Sequence, residues 1–399
     1  MDLDSRSKVP RIASNAEAHR GDLQFEGGGI RSTIAICTVG ELFGGVERHV
    51  MGMLEGLKAR GVETTLVLFH DCELAMQARL HGFSPVIMSS NNLGLLVTAR
   101  ELARHFGETH TGIVHTHGYK ATVFCALARM WHPMPMVKTE HGLPESMAGR
   151  PFSAMRDRAY RWLSAAIAKA ARARTCYVSQ ELRAHYEGAS PIKPSQVIPN
   201  GIIELLSSTF PRPPEYFEGV FNLAIVGRLD TVKGHRFAIE AMSMQGVAAN
   251  THLHVVGTGP CESELRALAE AIGIGDRVHF VGFRRNVYDY IAHCDALLMP
   301  SLHEGLPYAL LEAMALATPI IASNVGGLAE VLRDGFTALL VPPSDAEALA
   351  RAISRLVNNP DLGHRLAQEA QLVQRLTYSV DAMTESYLAV YRELLMPKD

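Results

Sequence analysis

Ser301-Leu302-His303-Glu304-Gly305-Leu306-Pro307-Tyr308-Ala309-Leu310-Leu311-Glu312-Ala313-Met314 is the stretch that decides how this chain folds. It follows Ala296-Leu297-Leu298-Met299, an unbroken apolar run of the kind found in strands buried on both faces. The stretch itself reads as a loop turning into a helix. Pro307 suits the first helical position, because its missing N–H would have no partner there. Gly305 and Leu306 then lie at the helix entrance, where backbone N–H groups attract anions, phosphate above all. Glu304 precedes that end and Glu312 falls in the second turn. Taken singly, either Glu reads as an ordinary solvated residue. A loop carboxylate, an anion-attracting helix start and a helical carboxylate together suit a phosphorylated, hydroxyl-rich ligand.

Working outward, the same strand–loop–helix rhythm fills the chain. In the second half, strands are expected over 221–226, 252–256, 278–281, 296–299, 319–322 and 337–341. In the first half they are expected over 33–37, 65–69, 85–88, 112–116, 135–139 and 175–178. Helical patterns fall between them, as at 93–106 and 121–130. Alternation at this spacing implies parallel sheets covered on both faces, in an α/β fold. Ligands of such sheets bind beyond the carboxyl ends of the strands. His117 and His141 stand at two of those ends, and each reads either as a loop residue or as a site residue. Gly44-Gly45 follows the first strand, either as a tight turn or as a backbone cradle for a ligand. Arg228 and Lys233 follow the strand at 221–226, where they could meet a diphosphate as a fork and a point charge. As isolated loop charges they read as solvated. Gly257-Thr258-Gly259 opens like a dinucleotide fingerprint. It lacks the third glycine, and the strand at 278–281 does not end in the acid that would hold a ribose, so an NAD reading is weak. The tail from 361 to 396 reads as helical throughout.

Bulk properties agree with a globular chain of two domains. The chain has 399 residues, 47% hydrophobic and 20% charged, with a formal net charge of −3. That length supports two full cores, and that charge gives no reason to expect nucleic acid. Residues 1–29 are polar and carry no apolar signal core, which reads as a disordered extension on a cytoplasmic protein. Six widely spaced cysteines then read as reduced thiols. No Cys-x-x-Cys pair suggests zinc, and Asp2-Leu3-Asp4 is the sole Asp-x-Asp, within the extension. Residues 150–174 carry Arg150, Arg156, Arg158, Arg161, Lys169, Arg172 and Arg174 beside Trp162, Leu163 and Ile167. This reads either as a surface helix packed on the sheet or as a basic amphipathic helix for an anionic membrane. Pro211-Arg212-Pro213-Pro214-Glu215 is the clearest linker.

Pro-Ser-x-x-Glu-Gly-x-Pro with the second Glu at 312 resembles the signature of retaining GT-B glycosyltransferases, family four, also called glycosyl transferases group 1. Gly-Arg-Leu-x-x-x-Lys-Gly at 227–234, Gly326-Gly327-Leu328-Ala329-Glu330, Asp334 to Val341 and Val197 to Ile202 are similar to that family too. The resemblance is nearly continuous from 223 to 357 and fainter before. It implies a GT-B fold, two Rossmann-like domains with parallel sheets facing a central cleft. Residues 30–210 would be the acceptor-side domain and 211–375 the nucleotide-sugar-binding domain, with 376–399 a helix crossing back to the first. It implies a nucleotide diphosphate sugar as co-substrate, no other cofactor and no metal, and hexosyl transfer to a carbohydrate or lipid-linked acceptor. The setting would be bacterial cell-surface polysaccharide or glycolipid synthesis, with peripheral contact through 150–174 on the inner face of the plasma membrane left open.

The resemblance also assigns residues. Glu304 matches the residue contacting the transferred sugar, His141 lies near that sugar, and Arg228 and Lys233 match the diphosphate pair. Gly44, Gly45, Gly305 and Leu306 line the diphosphate, Gly282 and Phe283 the base, and Glu312 the ribose. His117 is a further sugar or acceptor candidate. Two other readings share the fold: a non-hydrolysing nucleotide-sugar epimerase, and a non-catalytic nucleotide-sugar-binding subunit. Arg228 and Lys233 in tandem with Glu304 and Glu312 favour transfer.

Overall fold

A computed structural model describes residues 33–40, 44–88, 94–142, 166–188, 194–205 and 210–396. The extension at 1–29 and the basic stretch from 150 to 165 lie outside the described residues.

The first sheet contains β1 (Thr33–Thr38), β2 (Thr64–Leu68), β3 (Val86–Ile87), β4 (Thr111–His117), β5 (Met136–Glu140), β6 (Arg174–Tyr177) and β7 (Ser195–Val197). Their spatial order is β3-β2-β1-β4-β5-β6-β7, with every pairing parallel. The second sheet contains β8 (Phe221–Val226), β9 (Thr251–Val256), β10 (Val278–Gly282), β11 (Ala296–Met299), β12 (Ile320–Ser323) and β13 (Leu339–Val341), in the parallel order β10-β9-β8-β11-β12-β13. All residues of β1 and β11 are buried, as their apolar runs require when helices cover both faces. In each sheet the order reverses beside the first strand. The switch points therefore lie between β1 and β4 and between β8 and β11, and ligands of open parallel sheets bind at such places.

The helices that matter for the site are α1 (Gly45–Ala59) after β1, α2 (Glu73–Leu80), and α3 (Leu95–Glu108) and α4 (Tyr119–Ala128) flanking β4. Next come α5 (Gln180–Glu187) after β6, α6 (His235–Met242) after β8, α7 (Glu262–Ala271) after β9 and α8 (Tyr288–His293) after β10. They continue with α9 (Tyr308–Ala315) after β11, α10 (Gly326–Val331) after β12, α11 (Ala346–Val357), α12 (Pro360–Thr377) and α13 (Val380–Leu395).

Three sequence expectations are corrected. Pro307 is not the first helical residue but the N-cap of α9, with an extended backbone (φ −74°, ψ 141°); its carbonyl accepts from the Leu310 N–H at 3.2 Å. The tail is two helices, not one. The chain leaves the helix at Tyr378, whose carbonyl accepts from the Ile202 N–H at 2.9 Å, and extends at Ser379, whose hydroxyl then caps α13. β7 escaped the sequence reading because it is three residues long and sits among prolines, Pro194 and Pro199.

α13 leaves the second domain and packs on α1. Met383, Tyr387, Leu388, Val390 and Tyr391 join the core that α1 makes with β1 and β2. Two segments thus link the domains, and they are bonded to one another through Ile202 and Ser379.

Candidate active site

The loops after β8, β11 and β12 form one wall of the cleft. The Leu302 N–H donates to the Val232 carbonyl at 2.7 Å, holding the first two loops together. Gly327 braces the third against them. Its N–H donates to the Glu304 carbonyl at 2.9 Å, and a Cβ there would stand 1.6 Å from the Gly305 carbonyl oxygen. Only glycine permits that approach.

This scaffold aims two carboxylates. The Glu304 Oε1 accepts from the Lys233 Nζ at 2.5 Å and from the Ser301 hydroxyl at 2.8 Å, in a largely buried position. Glu312 is fully buried on α9; one carboxylate oxygen pairs with the Arg48 guanidinium and the other has no hydrogen-bond partner. Arg48 belongs to α1, so the pair spans the cleft, with Tyr288 stacked 5.9 Å from the same guanidinium.

The loops of the first domain form the opposite wall. Gly44 caps α1, and its N–H donates to the Glu47 carboxylate at 2.9 Å. A Cβ on Gly45 would lie 3.6 Å from the Tyr308 ring, and one on Gly305 would lie 3.7 Å from the His141 carbonyl, so the two walls meet at the start of α9. Behind them lies a group of imidazoles. His117 ends β4, His141 follows β5 and His49 projects from α1. The His117 Nδ1 is 2.8 Å from the His141 Nε2, and the His49 Nδ1 is 2.9 Å from the Asn200 Oδ1. His115 lies one layer deeper, bonded to the Tyr391 hydroxyl at 2.6 Å and the Thr139 hydroxyl at 2.8 Å. Burial lowers the pKa of His49 to about 4, against a smaller opposing pull from Asn200. Burial, then the neighbouring imidazoles, push His115, His117 and His141 well below the ordinary value. The group is therefore uncharged at neutral pH.

Residues 210–373 match the family described as Glycosyl transferases group 1, and residues 43–203 match Glycosyltransferase Family 4. The chain belongs to glycosyltransferase family 4. The family 4 chain is 31% identical over 172 residues to an alpha-D-kanosaminyltransferase of Streptomyces kanamyceticus, covering 42% of this chain and 45% of that one. It is 34% identical over 171 residues to the lipopolysaccharide core biosynthesis glycosyltransferase LpsD of Rhizobium meliloti, covering 43% and 49%. The chain thus spans about half the length of these curated relatives. Among solved structures, Anabaena HepE in complex with UDP-glucose superposes with a TM-score of 0.77 at 20% identity, over 91% of this chain and all of that one. Its GT-B architecture is the one described above, two Rossmann-like domains on either side of a cleft.

Within this glycosyltransferase fold the predicted residues do not all converge. Lys233, Glu304, Gly305, Leu306, Glu312, Gly44, Gly45, His117 and His141 gather at the cleft. Arg228 stands exposed on the same loop as Lys233. Gly282 ends edge strand β10, and Phe283 is 65% exposed at the rim, two residues before Arg285, which reaches Glu73 of the first domain at 3.7 Å. Sequence reasoning assigned no role to Arg48, His49 or Asn200. Their signal in the sequence was position: Arg48 and His49 follow Gly44-Gly45, and Asn200 lies within the family-like segment Val197 to Ile202.

Proposed function

We propose that this chain transfers a sugar, most simply a hexose, from a nucleoside diphosphate sugar to an acceptor hydroxyl, with retention at the anomeric carbon and no metal in the reaction. The observation that carries this reading is the convergence of Lys233, Glu304, Glu312 and Arg48 at the switch points of two facing parallel sheets. HepE's complexes with UDP and UDP-glucose support the donor class. LpsD's role in lipopolysaccharide core synthesis supports a cell-surface saccharide or glycolipid acceptor.

The chemical demand is the negative charge gathering on the departing diphosphate. Lys233, the start of α9 and the Gly44-Gly45 turn supply positive potential from fixed positions, the arrangement that stabilises developing charge most economically, and Arg228 adds its charge from the exposed part of the Lys233 loop. Glu312 takes the ribose once Arg48 yields. Glu304 faces the sugar as positive charge develops at its anomeric carbon, and the acceptor attacks from the leaving-group face through an oxocarbenium-like state.

Among the described residues no helix is long and apolar enough to cross a membrane. Peripheral contact through 150–174 and a cytoplasmic location belong to the same proposal, supported by the basic composition of that stretch alone.

The test is acceptor-dependent release of nucleoside diphosphate, screened over UDP-, GDP- and ADP-sugars. Epimerisation without acceptor, or donor binding with no turnover on any saccharide or glycolipid acceptor, would replace transfer by one of the two other readings. Turnover should survive EDTA; activity lost to the chelator and restored by Mg²⁺ or Mn²⁺ would contradict the metal-free mechanism.

A further inference from the structure

The imidazole group behind the cleft has a property that a packing role leaves unexplained. Asn200 Nδ2 donates to the Leu306 carbonyl at 2.8 Å. A carbonyl only accepts, so the amide is oriented with its Oδ1 toward His49. The His49 Nδ1 must therefore carry the hydrogen, which leaves Nε2 as a bare lone pair. That Nε2 is buried and has no hydrogen-bond partner, and the same is true of the His117 Nε2. His141 completes the group: each of the three rings offers a nitrogen within 4.8 Å of the other two. His49 and His117 are fully enclosed, while His141 is half-buried and next to exposed Gly142, so the group is open on the cleft side.

We propose that His49, His117 and His141 form a three-imidazole site for a zinc-class divalent cation, with its fourth position open to the cleft. Three neutral nitrogens with one free position is the ligand set of an open zinc site, and imidazole selects zinc, copper and nickel over magnesium and calcium. The Asn200 amide supplies the outer contact that fixes a ligating ring and its tautomer. Nitrogens of a tetrahedral zinc site lie about 3.3 Å apart. Filling the site therefore breaks the 2.8 Å hydrogen bond between His117 and His141, whose hydrogen moves to the far nitrogen of its ring, and rotates the rings so that nitrogens now up to 4.8 Å apart close toward that spacing. The His141 backbone lies beside Gly305, at the entrance of α9, so a cation held on the His141 ring stands next to the place proposed for the donor sugar and blocks it. Zinc is thus a reversible inhibitor of a reaction that does not use it. The binding site stands on geometry alone; the inhibition rests on the glycosyl-transfer reading.

The experiment titrates the untagged, chelator-stripped chain with zinc chloride, by calorimetry and against a chromophoric chelator. One equivalent should bind in the micromolar range or tighter. His49→Ala, His117→Ala and His141→Ala should each weaken it by at least about tenfold. His252→Ala, in a half-buried histidine pair elsewhere, should change nothing. If the two buried variants do not fold, the half-buried His141→Ala decides. Absence of a micromolar site, affinity indifferent to all three substitutions, or equal loss in His252→Ala overturns the proposal. In the activity arm, zinc should raise the apparent KM for donor, and EDTA should reverse the effect. Zinc bound at these histidines with undiminished transfer removes the inhibitory role. Zinc bound there in a chain with no transfer to any acceptor leaves the site standing and sinks the transfer reading instead.

Discussion

Glu304 and Glu312 share a side chain and almost share a segment, yet their surroundings give them different work. Glu312 sits within α9, and its partner Arg48 can be exchanged for a ribose. Hydroxyls of a ribose are bound alike in ground and transition states, and the loss of such uniform binding appears in KM. Glu304 is held by Lys233 and Ser301 at the loop where charge develops. Glu312→Ala should accordingly raise the donor KM with a smaller change in kcat. Glu304→Ala should depress kcat by roughly two to four powers of ten while the donor still binds. Steady-state kinetics with calorimetric donor binding separate the two, and normal turnover in Glu304→Ala would make that residue a mere loop carboxylate.

At the scale of elements, α1 and α13 come unusually close. A Cβ on Gly56 would fall 2.0 Å from the buried Thr384 hydroxyl, which is itself bonded to the Val380 carbonyl at 2.7 Å and cannot easily turn away. Gly56→Ala is expected to cost about 1–3 kcal/mol by overpacking. Denaturant unfolding checks this, and an unchanged midpoint would mean that the two helices yield freely. The start of α6 sets a pH dependence. His235 has both ring nitrogens buried without partners. Burial lowers its pKa to about 4; Asp230 opposes the shift and Lys233 adds to it. The unfolded chain takes up this proton near pH 6.5 and the folded chain near 4, so between those values the unfolded state holds more protons. The contribution is complete above pH 6.5 and is lost as pH falls toward 4, on the order of 3 kcal/mol. His235→Leu should flatten the acid side of the stability–pH curve; an equally steep curve would place the effect in other histidines.

Over the whole molecule, contacts from both domains hold the cleft together. Arg48 pairs with Glu312, Asn200 with the Leu306 carbonyl, and the Glu330 carboxylate accepts from the Gln180 and Glu181 N–H groups at the start of α5. Of these, only the Arg48–Glu312 pair occupies a side chain that the proposed donor needs. Without Arg48, Glu312 would be a buried charge with no partner, which is costly unless water reaches it. Arg48→Ala should therefore open the ligand-free cleft, giving a larger radius of gyration in solution scattering that donor brings back down. An unchanged radius would show that the hinge contacts alone set the domain angle.

Much of this was legible in the chain itself. Short apolar runs alternating with helical patterns marked twelve of the thirteen described strands, because strands buried on both faces are largely apolar. Ser301 to Met314 announced its loop and helix, since the residues that turn a chain act locally. What the sequence could not announce was every pairing made across distance. Arg48 meets Glu312 over 264 positions, and three histidines at 49, 117 and 141 have no motif spacing. α13 breaks from α12 at Tyr378-Ser379, where helix propensity alone would run on, because the backbone there bonds to Ile202. Local propensity and periodicity are written along the chain. The partner of a charge, the tautomer of a buried imidazole and the place where a helix must stop depend on what another segment brings, and only the closed fold supplies that.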